Sequence, residues 1–243
     1  MPLCLLFCAL LLCSTAQAGT LSVVGQSRWV TVATVFDGDT FRTTSGERVR
    51  LLGINCPEVA HDRQAAQPYG EEAKRRLISL IGGQTLQLRF DNDKKDRYGR
   101  TLAHVYLKNG AWINALLVNE GLAYVYTFMP NHRETEPLLK AERLARNSMA
   151  GIWKSEAFRI LDSRDLTAHH IGQFRLVRGY VAAVQPWQFK LGELSVSIPR
   201  IYRQWFAPAQ VPQQGKQVIV RGVIRMSVTR QLYMALHSPF DLE

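Results

Sequence analysis

Apolar positions along the chain follow two different periods, and the change from one to the other divides it into elements. Residues 29–36 are rich in Val and Thr, and Asp37-Gly38-Asp39-Thr40 supplies a turn before Phe41-Arg42-Thr43, which predicts a β-hairpin. Residues 49–54 read as the next strand. After Pro68 the period lengthens: Ala73, Leu77, Leu80 and Ile81 recur at helical spacing, Glu71 and Glu72 sit at the positive end of the helix dipole, and Gly82-Gly83 ends the helix. Two half-buried strands are expected at 85–90 and 101–107, where Leu and Val alternate with polar residues, around a densely charged loop at 91–100. Residues 112–120 and 137–149 read as two further amphipathic helices, the first ended by Gly121 and the second followed by Gly151. Leu138, Ala141, Leu144 and Ala145 mark the expected buried stripe of the second, and this unit looks complete near Trp153.

Beyond a polar stretch at 162–170 the pattern is strand throughout: 174–184, 188–198, 218–224 and 232–236, separated by Pro and Gly turns. The simplest account is a second, small β-domain. The expected division is therefore 19–156 for the first domain, 157–171 for a linker and 172–243 for the second domain, preceded by residues 1–18.

Those first residues have their own pattern. Residues 3–13 are almost wholly apolar, and Ala16-Gln17-Ala18 then gives a small-residue ending before Gly19, as a secretory signal peptide does, although no Lys or Arg precedes the apolar run. At about eleven residues the run is too short to span a membrane. Its removal would take Cys4, Cys8 and Cys13 with it and leave Cys56 unable to form an internal disulfide. An exported protein, periplasmic or released, without a membrane span in its mature chain is the expectation.

With 243 residues, 47% of them hydrophobic and 21% charged, the chain can bury one generous core or two small ones. The apolar leader holds no charged side chain, so the net charge of +10 belongs to the rest of the chain and points to a polyanionic partner.

Three segments concentrate polar residues where a plain barrel needs only turns: Asp37-Gly-Asp-Thr40, Arg50-Leu-Leu-Gly-Ile-Asn-Cys-Pro-Glu58 and Asp96-Arg-Tyr-Gly-Arg100. Singly, each also reads as an ordinary turn or strand end. Together they offer carboxylates for a hard cation and guanidinium groups for a phosphate. In this order and spacing, with Tyr69-Gly-Glu-Glu-Ala, Gly121-Leu-Ala, Pro130-Asn131 and Ile152-Trp153, they resemble the staphylococcal nuclease-like (thermonuclease) family from about residue 30 to residue 153.

The resemblance implies an α+β fold, mainly β: a five-stranded OB-type barrel with three packed helices, followed here by the second small β-barrel-like domain. It implies a calcium-dependent endonuclease that hydrolyses phosphodiester bonds of DNA or RNA and leaves 3′-phosphate ends. Arg50 and Arg100 match its catalytic arginines, and Glu58 matches the glutamate that orients or deprotonates the attacking water. Asp39 matches a ligand of the single Ca2+ ion, and Asp37 an outer-shell carboxylate. Arg97 and Tyr98 match residues lining the substrate site, and Tyr124, Tyr126 and Phe128 lie where the family places base-stacking tyrosines, in a segment one residue shorter here.

This chain departs from the pattern at the metal. Asn55 stands where the family's other ligand aspartate is expected, so a negative charge is missing, although an amide oxygen can coordinate. Cys56 follows, and its backbone carbonyl, not its thiol, would be the ligand. The six histidines, among them His61, His104, His132, His169 and His170, show no metal spacing. The alternative reading is therefore a nucleic-acid-binding module with the nuclease fold and impaired hydrolysis. In the second domain Arg175, Arg178, Arg221, Arg225 and Arg230 could track a nucleic-acid backbone while Tyr180, Trp187 and Tyr233 stack bases, or the same residues could belong to a solvated barrel with core aromatics.

Overall fold

In a computed structural model of the chain, residues 26–60, 65–207 and 210–243 are described. The expected signal peptide with its three cysteines, and His61, lie outside them.

The first unit is a closed barrel of β1 (Ser27–Val35), β2 (Thr40–Thr43), β3 (Arg48–Leu51), β5 (Thr85–Arg89) and β6 (Thr101–Tyr106), joined in the order β1-β2-β3-β6-β5. Neighbours run antiparallel except β3 and β6, which are parallel. Alternation along these strands sends Phe41, Val49, Leu51, Leu86, Leu88, Ala103 and Val105 into one core. Each fully buried aliphatic of this kind contributes about 1.5–3 kcal/mol relative to exposure.

Three helices pack on this barrel: α1 (Gly70–Ile81), α2 (Ile113–Asn119) and α3 (Thr135–Asn147). Ala73, Leu77 and Ile81 of α1 stack one helical turn apart and are buried, as their spacing predicts. In α3 the buried stripe is Leu138, Leu139, Glu142 and Ala145, whereas Leu144 is exposed. The expected stripe through Ala141 and Leu144 is thus rotated toward Glu142, a carboxylate in an otherwise apolar position.

The strand expected at 49–54 breaks at a turn over residues 52–53, and the chain resumes as β4 (Ile54–Asn55), which leaves the barrel and pairs with β7 (Tyr124–Val125). This two-strand ribbon joins the segment after β3 to the segment after α2.

The second unit repeats the first. Its strands are β9 (Phe174–Gln185), β10 (Gln188–Leu191), β11 (Leu194–Ser197), β12 (Gln217–Val223), β13 (Arg225–Met226) and β14 (Leu232–Ala235). The run expected as one strand at 188–198 is a hairpin of β10 and β11. Here β9-β10-β11 are antiparallel neighbours, β11 and β14 are parallel, β13 pairs β14 and β12 pairs β9. Only Ile224 separates β12 from β13, so the two act as one fourth strand, and the pairing order of the first barrel recurs.

Residues 157–171, expected as a linker, are buried at their start and mostly exposed from 164 to 171. Within them β8 (Leu161–Asp162) pairs in parallel with β9, and Phe158 and Leu161 are buried. Tyr124, Ala145, Ile152, Trp153, Phe158 and Leu176 form a third core, with Phe174 and Ile219 against it. It draws on both units. Trp153 lies in this shared core. No helix among the described residues is long and apolar enough to cross a membrane.

Candidate active site

The turn between β1 and β2 is pressed onto the start of the segment after β4. A Cβ on Gly38 would lie 2.6 Å from Cys56 Cβ and 2.7 Å from Ala73 Cβ, so only glycine permits this approach. The consequence is that Asp39, buried at the turn, reaches across the chain. Its Oδ2 accepts from the Cys56 backbone N–H at 2.7 Å and meets Arg50 Nη1 at 3.0 Å, while Oδ1 accepts from Thr40 Oγ1 at 3.1 Å. Asp37 Oδ1 accepts from the Asp39 N–H at 2.9 Å and closes the turn. Burial, together with the neighbouring charge of Asp37 and against the opposing pull of Arg50, lifts the Asp39 carboxyl to about 7. Burial thus disfavours a bare negative charge on Asp39, and Arg50 is the cation that offsets it.

Arg50 leaves β3 toward the same point. Its Nη1 donates to the Leu51 carbonyl at 3.0 Å and its Nη2 to Asn55 Oδ1 at 2.7 Å. Asn55 in turn donates from Nδ2 to the Cys56 carbonyl at 3.0 Å and to the Tyr124 hydroxyl at 2.9 Å. The structure brings Asp39, Asn55 and Cys56 together, with the Asn55 amide oxygen turned to Arg50. Asp37 and Asp39, the Asn55 amide and the Cys56 carbonyl are all oxygen donors, and this donor set fits a hard divalent cation. Among the described residues no three His, Cys, Asp or Glu side chains form a metal cluster, so the oxygen donors here are two carboxylates supplemented by an amide and a backbone carbonyl.

The Cys56 thiol is buried, and burial first, then the charges of Asp39 and Asp37 with that of Glu58, push it well above the ordinary range, against Arg50. Glu58 is exposed, and its backbone is clamped on both sides: its N–H donates to Gln67 Oε1 at 3.0 Å and its carbonyl accepts from the Gln67 N–H at 2.9 Å. A Cβ on Gly70 would lie 2.4 Å from that carbonyl, so the first residue of α1 must be glycine for the helix to approach. Gln67 carries no motif that would have marked it.

Arg100 precedes β6. In the parallel pair β3–β6, Arg50 stands opposite Leu102, and strand alternation places Arg100 on the same face as Arg50. Its Nε donates to Asp96 Oδ2 at 2.6 Å, and Asp96 Oδ1 also accepts from the Arg100 and Tyr98 backbone N–H groups. Asp96 is therefore the brace of Arg100, a role that sequence reading did not assign, although the residue opens the quoted motif. Tyr98 is 70% exposed, with the Arg97 and Arg100 guanidiniums over its ring at 4.8 and 5.6 Å. The loop is tied down elsewhere: Asn131 Oδ1 accepts from the Asp93 N–H at 2.7 Å and Asn131 Nδ2 donates to the Asp93 carbonyl at 3.0 Å.

The aromatic residues divide. Tyr124 is 7% exposed and its ring stacks on Phe174 of the second unit at 4.3 Å, so it has no face to offer a base, contrary to the expectation. Tyr126 is half-buried, and Phe128, 51% exposed, meets it edge-on at 4.6 Å. Tyr126 and Phe128 remain as candidates for stacking. Two arginines expected to track a backbone are also accounted for otherwise: Arg221 is buried in ion pairs, and Arg175 Nη1 donates to the Glu156 carbonyl at 2.7 Å.

A family model described as "Staphylococcal nuclease homologue" matches residues 48–155. The chain is 37% identical over 134 residues to the SPbeta prophage-derived endonuclease YokF of Bacillus subtilis, covering 53% of this chain and 45% of that protein, less than half of its length. It is 35% identical over 149 residues to Endonuclease YncB of the same organism, covering 58% of this chain and 70% of the relative. To the Thermonuclease of Staphylococcus hyicus it is 34% identical over 127 residues, covering 51% and 75%. All three matches span a little over half of this chain, in keeping with one of its two barrels. The chain belongs to the staphylococcal nuclease homologue family and, with it, to the nuclease hydrolases.

Proposed function

We propose that the protein is an exported, calcium-dependent endonuclease in which Arg50, Glu58 and Arg100 cleave the phosphodiester backbone of DNA or RNA. The observation that carries this reading is the bonded cluster in which Asp39 meets Asp37, the Cys56 N–H and Arg50, with Glu58 exposed two residues past Cys56 and Arg100 on the same barrel face as Arg50. Two planar guanidiniums can grip the oxygens of one phosphate and hold the charge that grows as phosphorus becomes five-coordinate. Asp96 keeps the Arg100 fork aimed without neutralising all of its donors. Glu58, exposed beside this point, orients a water and takes its proton as the oxygen bonds to phosphorus. The bond from phosphorus to the 5′ oxygen breaks and that oxygen takes a proton from solvent, leaving a 3′-phosphate on one fragment and a 5′-hydroxyl on the other.

Asp39, with Asn55 and the Cys56 carbonyl and with Asp37 behind, would hold the calcium ion, which when bound supplies positive charge beside the phosphate. Tyr126 stacks a base, and Arg97 and Tyr98 contact the flanking phosphate from the exposed rim. The leader at 1–18 would direct the protein out of the cytoplasm.

The test is incubation of the mature protein with single-stranded DNA and with RNA, in calcium and in chelator, followed by end-group analysis. Fragments bearing 3′-phosphates in calcium alone are expected. The second reading, binding without hydrolysis, is favoured by one observation: Asn55 brings no charge to the metal and turns its oxygen to Arg50. Salt-sensitive binding to oligonucleotides with no cleavage at any calcium concentration would select it.

A further inference from the structure

Strands β4 and β7 are two residues long, too short to hold a register by their own ladder. Yet this ribbon sets Asn55 opposite Tyr124, and Asn55 is what holds the outer nitrogen of Arg50. Something else must fix the ribbon. Its free edge is gripped by α3 together with β12 of the second unit. The Val125 N–H donates to Glu142 Oε2 at 2.6 Å, and Arg221 of β12 pairs with both oxygens of that carboxylate at 2.9 and 3.0 Å while Nη1 also reaches the Val125 carbonyl at 3.4 Å. Glu142 and Arg221 thus take both backbone groups of Val125 that β4 leaves unused. One residue earlier, the Tyr124 ring lies flat on Phe174 of β9, with 18° between planes, and its hydroxyl accepts from Asn55 Nδ2.

We propose that the second β-unit is part of the nuclease centre: Phe174 and Arg221 are positioning residues that fix β7, so that Tyr124 holds Asn55 and Asn55 holds Arg50. The contacts form an unbroken series, Phe174 to Tyr124 to Asn55 to Arg50 to Asp39, each at contact or hydrogen-bond distance. The inference rests on the reading of Arg50 as a catalytic arginine. It gives the second barrel a task that needs no nucleic-acid contact of its own.

The experiment uses the full mature chain with four changes: Tyr124→Phe, Phe174→Ala, Phe174→Tyr, and Tyr124→Phe with Phe174→Ala together. Tyr124→Phe keeps the stack and removes the hydroxyl, so folding should be preserved while kcat falls about tenfold with KM unchanged, the scale expected when a catalytic group loses its aim. Phe174→Ala should lower kcat by a similar factor and Phe174→Tyr should restore it. Because both act through Asn55, the double variant should be no slower than the slower single variant; multiplied losses, or a wild-type kcat in Tyr124→Phe, overturn the proposal. A second readout is independent of catalysis. The side-chain amide NMR resonances of Asn55, assigned with Asn55→Ala, should shift in Phe174→Ala and stay in place in Phe174→Tyr. No shift in Phe174→Ala overturns the proposal whether or not the protein cuts nucleic acid, whereas a wild-type chain that fails to cut, with the shift present, overturns only the nuclease reading.

Discussion

Glu142 in α3 and Arg221 in β12 form an ion pair at 2.9 Å in which the carboxylate is fully buried and the guanidinium 2% exposed. Arg221 also pairs with Glu243, which accepts from Arg146 at 2.7 Å, so the two central charges are compensated inside the interface of the two barrels. A pair of this kind adds little net stability over an apolar pair, but removal of one partner strands a buried charge. Arg221→Met should cost about 3–5 kcal/mol in urea unfolding. Glu142→Gln combined with Arg221→Met should recover part of that loss, because the amide still accepts from Val125 and no charge is stranded.

Loss of either arginine at the site should be felt in kcat. Arg50→Ala and Arg100→Ala should each slow cleavage by about 10²–10³. Lysine should not restore the rate, since it lacks the planar fork. Asp96→Ala leaves the Arg100 guanidinium in place and removes its brace, so a loss of about tenfold in kcat is expected, with thermal stability changed much less than by Arg221→Met. Single-turnover rates at saturating oligonucleotide measure all of these.

Asn55→Asp adds a carboxylate to the proposed metal site and retains an acceptor for Arg50. The calcium concentration giving half-maximal cleavage should fall, and calorimetry should record tighter calcium binding in the absence of substrate. The variant gives up both Nδ2 bonds, to the Cys56 carbonyl and the Tyr124 hydroxyl, so kcat at saturating calcium should not rise. An unmoved calcium midpoint would place Asn55 away from the metal.

His104 is buried edge-on to Trp112 at 5.4 Å, and its Nδ1 has no partner. Burial lowers it to about 4 from an ordinary value of 6.5. For a base depressed in the folded state, the unfolded chain takes up the proton first as pH falls. The contribution to stability is therefore complete above pH 6.5 and is lost on the way down to pH 4. Between pH 7 and pH 4.5 this residue should cost about 2 kcal/mol. His104→Gln should flatten that part of the urea-midpoint profile.

The sequence by itself determined what is local. The hairpin around Asp37-Gly38-Asp39, the stripe of α1 and the strands on either side of the 91–100 loop are legible from period and turn chemistry, because a strand or a helix imposes its own repeat on its own residues, whereas Arg50, Glu58 and Arg100 stand out only through the resemblance to the staphylococcal nuclease-like family. Where a partner is distant the sequence is silent. Glu142 breaks the apolar stripe of α3 for Arg221, 79 positions away, and Tyr124 stacks its ring on Phe174 while its hydroxyl accepts from Asn55, 69 positions back. Tyr124, Tyr126 and Phe128 share one strand-like alternation, and nothing in it says which ring will be covered. Only tertiary structure decided that, and with it the fusion of two barrels into one interface. Burial of a charge or a ring is set by the groups that arrive from elsewhere in the chain, and their arrival depends on the packing of the whole.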